Sequence, residues 1–154
     1  MGTTSAASEQ EFLAEMLRIV REVQWAFLAT ADGDQPRVRV IHPVWDGFVC
    51  YMGTGPQSPK ARQVRANPKV ELFYWSQKFE HLTVTGKARF VDDDAERQRL
   101  YDYFALAPEG YDTKQFWPNG PDETFGLLRL DAERIEISGL MEGMQGVKPR
   151  VWRA

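Results

Sequence analysis

The stretch 36-PRVRVIHPVWDGFVCYMGTGPQSPK-60 decides how this chain folds. Alternating polar and apolar residues predict a strand over Arg37–Trp45, and the dipeptide Asp46-Gly47 is typical of a two-residue hairpin turn. A second strand is predicted over Phe48–Met52. After the loop 53–57, Ser58 is a favourable helix N-cap and Pro59 suits the first helical position, so a short helix is expected to follow. The stretch therefore predicts a hairpin that leads directly into the N-terminus of a helix.

The remaining segments give the same picture of short strands with helices between them. An amphipathic helix is predicted over Glu9–Val23, and residues 1–8 are predicted to be disordered. Further predicted elements are the strands Trp25–Thr30, Val70–Trp75, His81–Val91, Thr124–Asp131 and Glu133–Ser138, the helices Lys60–Ala66 and Ala95–Phe104, and an aromatic-containing loop over 105–122. Six or seven antiparallel strands with three helices predict a mainly β protein, a small barrel with flanking helices, formed by one domain over residues 9–154.

Composition excludes several classes of function. The 154 residues carry a formal net charge of −3, which argues against general nucleic-acid binding. No apolar run is long enough to span a membrane, and the first residues lack the pattern of a secretion signal, so a cytoplasmic location is expected. The single cysteine, Cys50, excludes an internal disulfide and lies in an apolar run, where a buried, inert thiol is expected.

Basic residues gather around the predicted helix start, where unpaired backbone N–H groups and the helix dipole favour an anion. Ser58 and Lys60 could hold a phosphate there, or Ser58 could simply cap the helix while Lys60 is solvated. On the preceding strand, Arg37 and Arg39 alternate on one face, so they offer bidentate anion recognition or form an ordinary solvated face. The opposite face, with Val38, Val40, His42 and Val44, is apolar enough to predict that it packs in the core.

The two histidines, His42 and His81, occupy strands that would flank this site. A third ligand at metal-binding spacing is missing, so they are interpreted as structural histidines or as groups that hydrogen-bond a heterocycle. The sequence also lacks a GxSxG elbow and a GxGxxG dinucleotide motif in a βαβ setting, which argues against a serine hydrolase and a Rossmann enzyme.

Three segments, FLATADGDQPRVRVIHPVWDGFVCYM, SPKARQVRANPKVELFYW and HLTVTGKARFVDD, resemble the pyridoxamine 5′-phosphate oxidase-like family of flavin-binding split barrels. The resemblance covers about Trp25 to Asp131. Its most specific part is the spacing K-x-x-x-V-x-x-N-P-x-V over Lys60–Val70, followed by a strand that contains T-G-K-A. It implies a split β-barrel homodimer that holds FMN in a groove between two subunits.

By position, the resemblance implies that Arg39 and Lys60 bind the phosphate, with Ser58 beside the lysine. It places Val40, Ile41 and His42 along the isoalloxazine ring, and Met52 at the end of the adjacent flavin-contacting strand. His81 stands where the authentic oxidases have a ring-contacting glutamine. No catalytic side chain and no metal ligand is implied.

The chain also departs from the authentic oxidases. Pro59 replaces a basic residue before the lysine, and the C-terminal segment 139–154 lacks the recognisable arginine and histidine that bind the pyridoxal substrate. We therefore expect an FMN-dependent oxidoreductase acting on another small molecule, with an electron donor, rather than a vitamin B6 oxidase. Two alternatives stay open: a deazaflavin-dependent reductase in which Arg62 and Arg65 hold the anionic cofactor tail, and a non-catalytic flavin-binding or heme-binding protein.

Overall fold

The computed structural model describes residues 6–154, which form one mainly antiparallel sheet with helices packed around it. Predicted disorder at residues 1–5 lies outside the described residues, whereas residues 6–8 belong to the first helix. The helices are α1 (Ala6–Val23), α2 (Pro59–Ala66), α3 (Asp94–Leu106) and α4 (Leu140–Met144), and a 3-10 turn covers Thr113–Gln115. The strands are β1 (Ala26–Asp32), β2 (Gln35–Ile41), β3 (Val44–Asp46), β4 (Val49–Thr54), β5 (Lys69–Trp75), β6 (Glu80–Phe90), β7 (Gly126–Gly139) and β8 (Arg150–Arg153).

The sheet has eight strands in the order β2-β1-β5-β6-β7-β4-β3, and β8 adds to β7. Its two end strands, β2 and β3, are joined in the chain by only two residues, His42 and Pro43. The sheet must therefore curl until its edges meet at this link, as in a split barrel. The predicted mainly β class with flanking helices is confirmed, with eight strands rather than six or seven.

Two strand boundaries differ from the sequence-based predictions. The predicted strand Arg37–Trp45 is two strands, because the chain leaves the ladder at His42-Pro43 and Pro43 has no N–H to donate. The two strands predicted separately over Thr124–Asp131 and Glu133–Ser138 form one continuous strand, β7. The pairing register with β6 shifts there, between Thr85 and Gly86, so the irregular residues form a bulge rather than a hairpin.

The prediction about which face of β2 packs in the core was wrong. Val38 and Val40 are 66% and 53% exposed, whereas Ile41, on the arginine face, is buried. Arg39 pairs with Leu28 in the ladder, and Leu28 is fully buried. The arginine side of β2 therefore points into the end of the barrel that α2 covers, and the valines point outward.

Two hydrophobic clusters support this arrangement. The larger one fills the barrel under α1 and contains Met16, Leu28, Trp45, Tyr74 and Leu82, all at most 1% exposed. The smaller one packs α3 and the loop after it against β4 and β7, through residues that include Phe104, Phe125 and Leu127.

The sequence-based predictions missed the C-terminal elements α4 and β8. On β8, Trp152 stacks on Phe48, with ring centroids 4.3 Å apart, which ties the end of the chain to the barrel. None of the helices within residues 6–154 is long and apolar enough to cross a membrane.

Candidate functional site

Arg39 is held rigidly at the α2 end of the barrel by three hydrogen bonds. Its Nη1 donates to the Thr30 hydroxyl at 2.6 Å and to the Leu28 carbonyl at 3.1 Å, and its Nη2 donates to Gln63 Oε1 at 2.7 Å. The Thr30 hydroxyl in turn donates to the same Gln63 oxygen at 2.6 Å, and both residues are buried. The neutral groups that hold Arg39 leave its positive charge uncompensated.

Lys60 lies at the first turn of α2, beside a small group of hydroxyls. Its ammonium donates to Thr54 Oγ1 at 2.7 Å, and Thr54 Oγ1 lies 3.5 Å from Ser58 Oγ. Ser58 caps the helix, because its hydroxyl accepts from the Ala61 N–H at 3.3 Å. This helix start therefore presents an ammonium and two hydroxyls at one place, whereas the backbone N–H groups of Ser58, Ala61 and Arg62 are already bonded within the protein.

The electrostatics of Arg39 and Lys60 indicate an anion site. Burial lowers the pKa of Lys60, and the positive charge of Arg39 adds a smaller decrease. Burial also lowers the pKa of Arg39, and the charge of Arg37 adds a smaller decrease there. Within residues 6–154, no carboxylate forms an ion pair with either cation; Arg37, by contrast, pairs with Asp32 at 3.4 Å. Partly buried cations of like charge are unfavourable unless an anion compensates them.

A cavity of about 550 Å³ opens beside Lys60, and Arg39 is not among its lining residues. Lys60 and Thr54 line one end, and Val40, Ile41 and His42 line a side wall. The other end is aromatic and glutamine-containing; its lining residues are Gln24, Trp25, Tyr111, Gln115, Phe116 and Trp117. We call Lys60 and Thr54 the cationic end of the cavity and these six residues its aromatic end; the two meet on β4, where Gly53 packs against Tyr111 and Trp117.

His42 occupies the middle of the cavity wall in a fixed orientation. Its ring lies between those of Trp25 and Tyr111, with centroid distances of 4.9 and 4.7 Å. His42 Nε2 lies 2.5 Å from the Glu109 backbone carbonyl. A carbonyl can only accept, so we assign the proton to Nε2, and Nδ1 is left to interact with a ligand.

The loop that carries Glu109 is anchored to the barrel by a buried carboxylate. Glu109 is 1% exposed, its Oε1 accepts from the Trp45 backbone N–H at 3.1 Å, and its Oε2 lies 3.5 Å from Arg21 Nε on α1. Further along, the Tyr101 hydroxyl donates to the Trp117 carbonyl at 2.5 Å. The aromatic end of the cavity is thus a supported wall rather than a loose loop.

The structure brings most of the predicted site residues together. Ser58 and Lys60 lie at the α2 N-terminus, Arg39 contacts the middle of the same helix through Gln63, and Val40, Ile41 and His42 line the cavity. Met52 is fully buried in the barrel core and does not line the cavity.

His81 lies elsewhere, on the outer sheet face. Its ring contacts Phe73 and Trp75, with centroid distances of 5.7 and 6.4 Å. Within one chain it is separated from β2 by β1 and β5, so any role at the cavity would require a second copy of the chain.

Sequence reasoning missed four residues that build the site: Thr30, Thr54, Gln63 and Glu109. Thr54 is six residues from Lys60, and an inspection of hydroxyls close to the helix start could have found it. Gln63 follows Lys60 by three residues, but its partner Arg39 lies on a different element. No local signal indicated that Glu109, in a loop of turn-forming residues, would be buried.

Fold and site together define a class: a small split-barrel protein with two partly buried cations, Arg39 and Lys60, close to one cavity. The chain belongs to the pyridoxamine 5′-phosphate oxidase family, whose model matches residues 12–138. The resemblance stated from the sequence is confirmed.

Individual relatives agree with this assignment. A pyridoxine/pyridoxamine 5′-phosphate oxidase from Rubrobacter xylanophilus is 28% identical over 128 residues, which cover 80% of this chain and 56% of that protein. The chain therefore spans about half the length of this curated relative. Among solved structures, a general stress protein 26-related protein of the pyridoxinephosphate oxidase family from Clostridium acetobutylicum has a TM-score of 0.73 at 17% identity, covering 94% of this chain and 95% of its own. General stress protein 26 from Bacillus anthracis has a TM-score of 0.72 at 18% identity, covering 94% and 99%. At these identities, the two structures show a shared fold.

Proposed function

We propose that this protein binds FMN and acts as a flavin oxidoreductase on a small organic molecule. The observation that carries the proposal is the pair Arg39 and Lys60, two partly buried cations without an acidic partner among the described residues, at the start of a helix. A phosphate monoester carries close to two negative charges near neutral pH and three acceptor oxygens. Such a group would compensate both cations and accept hydrogen bonds from the Ser58 and Thr54 hydroxyls and the Lys60 backbone N–H.

The wall formed by the last residues of β2 suits the ring of the same cofactor. Val40 and Ile41 offer an apolar wall next to the phosphate end, and His42 offers a polar ring edge at Nδ1. Bound flavin would supply reversible electron transfer, while the protein supplies binding and orientation. In this proposal, Arg39 and Lys60 hold the phosphate, and His42 orients the ring through a hydrogen bond.

We also propose that the functional unit is a homodimer. Four large apolar side chains on neighbouring strands are 41–66% exposed: Phe27, Val38, Val40 and Trp75. The strand register makes them neighbours, because Phe27 lies opposite Val40 on one side and opposite Phe73 on the other. A patch of this kind on β2, β1 and β5 fits a second copy of the chain. His81 lies beside this patch, so pairing could bring it to the partner's cavity.

The deazaflavin alternative fits less well. A deazaflavin tail was expected to use Arg62 and Arg65, but the Arg65 guanidinium donates to the Pro56 carbonyl at 2.6 Å and lies 4.2 Å from the centroid of the Phe90 ring. A heme could be ligated through His42 Nδ1, so the spectrum of the purified protein has to separate heme from flavin. A flavin-binding protein without turnover would use the same cavity and is separated from an oxidoreductase by experiment.

Replacement of the two cations tests the phosphate site. Arg39→Ala and Lys60→Ala should each weaken FMN binding roughly 10- to 100-fold, the equivalent of one charge-assisted contact of about 1.5–3 kcal/mol. Flavin fluorescence titration measures the affinity, and riboflavin, which lacks the phosphate, should bind all variants about equally. Arg62→Ala is the matched control, because Arg62 is an exposed cation on the same helix.

The outcomes separate the candidate functions. Equal FMN affinity in wild type, Arg39→Ala and Lys60→Ala would refute the assignment of the site. Absorbance of the purified protein identifies a co-purified flavin, deazaflavin or heme. Bound FMN that neither NADH nor NADPH reduces, across a panel of acceptors, would favour a binding protein over an oxidoreductase.

A further inference from the structure

The aromatic end of the cavity has a lining that the phosphate site does not explain. Trp25 and Phe116 line it with 54% and 61% of their surface exposed, although aromatic residues of this size are usually covered. They lie on separate segments, Trp25 directly after α1 and Phe116 after the 3-10 turn. Two exposed ring systems that border the same cavity indicate a binding surface for a flat molecule.

The ring of Tyr111 supports this surface and adds a polar group. Tyr111 contacts His42 on one side and Phe116 on the other, with centroid distances of 4.7 and 5.6 Å. Its hydroxyl makes no hydrogen bond to another described residue, although most partly buried tyrosine hydroxyls have one. Burial raises the pKa of this phenol well above its ordinary value, so the hydroxyl keeps its proton and is available as a donor.

The position of the hydroxyl is set by a glycine on β4. A Cβ atom on Gly53 would lie 3.0 Å from Tyr111 Oη and 2.8 Å from the Trp117 ring. Because Gly53 has no side chain, Tyr111 and Trp117 can approach the strand closely. The phenol is therefore fixed against the cavity wall, where a ligand can meet it.

The charges of the lining residues limit the class of ligand that can bind at the aromatic end. Within the described part of the chain, the residues that line the cavity include no aspartate or glutamate, and Lys60 is their only Lys or Arg. A cationic ligand would thus find no counterion at the aromatic end. A neutral molecule with an acceptor oxygen would find the Tyr111 donor and flat apolar surfaces.

We propose that the aromatic end of the cavity binds the second substrate, a neutral, planar aromatic molecule whose acceptor oxygen receives a hydrogen bond from Tyr111 Oη while its ring packs against Phe116 and Trp25. This inference rests on the proposed function, since it assumes that the cofactor occupies the cationic end. Tyr111 and Phe116 are here substrate-binding residues, separate from the phosphate site of Arg39 and Lys60.

Three small probes separate the two parts of the proposal. Acetophenone has a flat ring and an acceptor oxygen, cyclohexyl methyl ketone keeps the oxygen without the flat ring, and ethylbenzene keeps the ring without the oxygen. Binding to the FMN-saturated protein is followed by NMR shifts of the tryptophan indole N–H groups. We expect acetophenone to bind tighter than either other probe, by about fivefold, the value of one hydrogen bond or one aromatic contact.

Two variants assign these preferences to residues. Tyr111→Phe should weaken acetophenone and the cyclohexyl ketone about fivefold and leave ethylbenzene unchanged, because only the hydroxyl is removed. Phe116→Leu should weaken acetophenone and ethylbenzene but not the cyclohexyl ketone. Tyr103→Phe is the matched control: its hydroxyl donates to the Trp45 carbonyl at 2.7 Å, outside the cavity lining, so it should leave binding of all three probes unchanged.

The test can fail in recognisable ways. Equal loss of all three probes in Tyr111→Phe, or no preference for acetophenone in wild type, would overturn the inference. Displacement of FMN by acetophenone, or weaker FMN binding in Phe116→Leu to the same degree as the probes, would show that the aromatic end belongs to the cofactor site. If the wild-type protein binds no FMN, the proposed function fails, and the same titrations on the flavin-free protein still decide whether the aromatic end binds flat ligands.

Discussion

The two ends of the cavity are built in opposite ways. At the cationic end, Arg39 donates to a buried threonine and a buried glutamine, so its geometry is set by hydrogen bonds within the protein. At the aromatic end, the rings are set by packing, and the Tyr111 hydroxyl has no protein partner. The first arrangement suits a ligand group of fixed charge and shape, and the second tolerates different flat molecules. One cavity can thus combine tight cofactor binding with a broader choice of substrate.

The cationic end differs from the aromatic end because Gln63, which holds Arg39, is uncharged. A glutamate at this position would keep the shape of the side chain and the bonds to Thr30 and Arg39, but it would place a negative charge against the arginine. In the ligand-free protein this charge would compensate Arg39. With a phosphate bound, it would repel the ligand.

Gln63→Glu is therefore expected to have the largest effect, with opposite signs in two measurements. FMN affinity should fall roughly 10- to 100-fold, similar to the loss of one charge-assisted contact. The melting temperature of the ligand-free protein should rise, because the partly buried Arg39 gains a partner of opposite charge. Titration with FMN and riboflavin, together with thermal unfolding, checks both signs.

Gln63→Met controls for shape without charge. It removes the acceptor for Arg39, so both the stability of the ligand-free protein and FMN affinity should fall. If Gln63→Glu lowered the melting temperature and left FMN affinity unchanged, Gln63 would be structural only, and the cationic end would not depend on uncompensated charge.

Gly53→Ala tests the aromatic end alone. The new methyl group would overlap Trp117 and crowd Tyr111 Oη, and overpacking of this kind costs about 1–3 kcal/mol. We expect a lower melting temperature and weaker binding of aromatic probes. The contribution of the phosphate group to FMN affinity should be unchanged. That contribution is the ratio of FMN to riboflavin affinity.

Gly55→Ala is the matched control, because a Cβ there would meet no atom within 4 Å and Gly55 borders the same cavity. It should behave like the wild type in both measurements. A Gly53→Ala protein with normal probe binding would show that the close packing of Tyr111 and Trp117 on β4 does not shape the aromatic end.

The cationic end was easier to predict from the sequence than the aromatic end, for physical reasons. Helix capping and charge are local signals, so Ser58 and Lys60 could be placed from a few residues, and the resemblance selected Arg39. The roles of Gln63 and Glu109 depend on partners 24 and 64 residues away, which no local pattern encodes.

The orientation of β2 shows a second limit of prediction from the sequence. Alternation separates the arginines from Val38 and Val40, but it does not say which face points inward. The usual rule that apolar residues pack in the core failed because the outer sheet face is also apolar, with Phe27 beside Val40 in the ladder. The inner face could accept Arg39 because Thr30, Gln63 and the Leu28 carbonyl satisfy its donors.

The smallest expected effect is a pH dependence of binding that appears at the cationic end and not at the aromatic end. Burial and the charge of Arg39 lower the pKa of Lys60 below its ordinary 10.5. The phosphate contact needs the ammonium, so FMN affinity should be complete well below this lowered pKa and decline as the pH rises through it. Unfolded chains bind this proton up to higher pH, and the stability of the ligand-free protein should therefore rise over the same interval.

Riboflavin isolates the phosphate from titration of the flavin ring, so the ratio of FMN to riboflavin affinity is the quantity to follow as the pH is raised. In Lys60→Arg the cation keeps its proton over this range, and the ratio should stay nearly flat. Acetophenone binding at the aromatic end should not follow the decline, because Tyr111 titrates at higher pH than an ordinary phenol. If this affinity ratio declined by the same amount in Lys60→Arg, the pH dependence would belong to a group other than Lys60. The charge of Lys60 would then not explain how the cationic end binds phosphate.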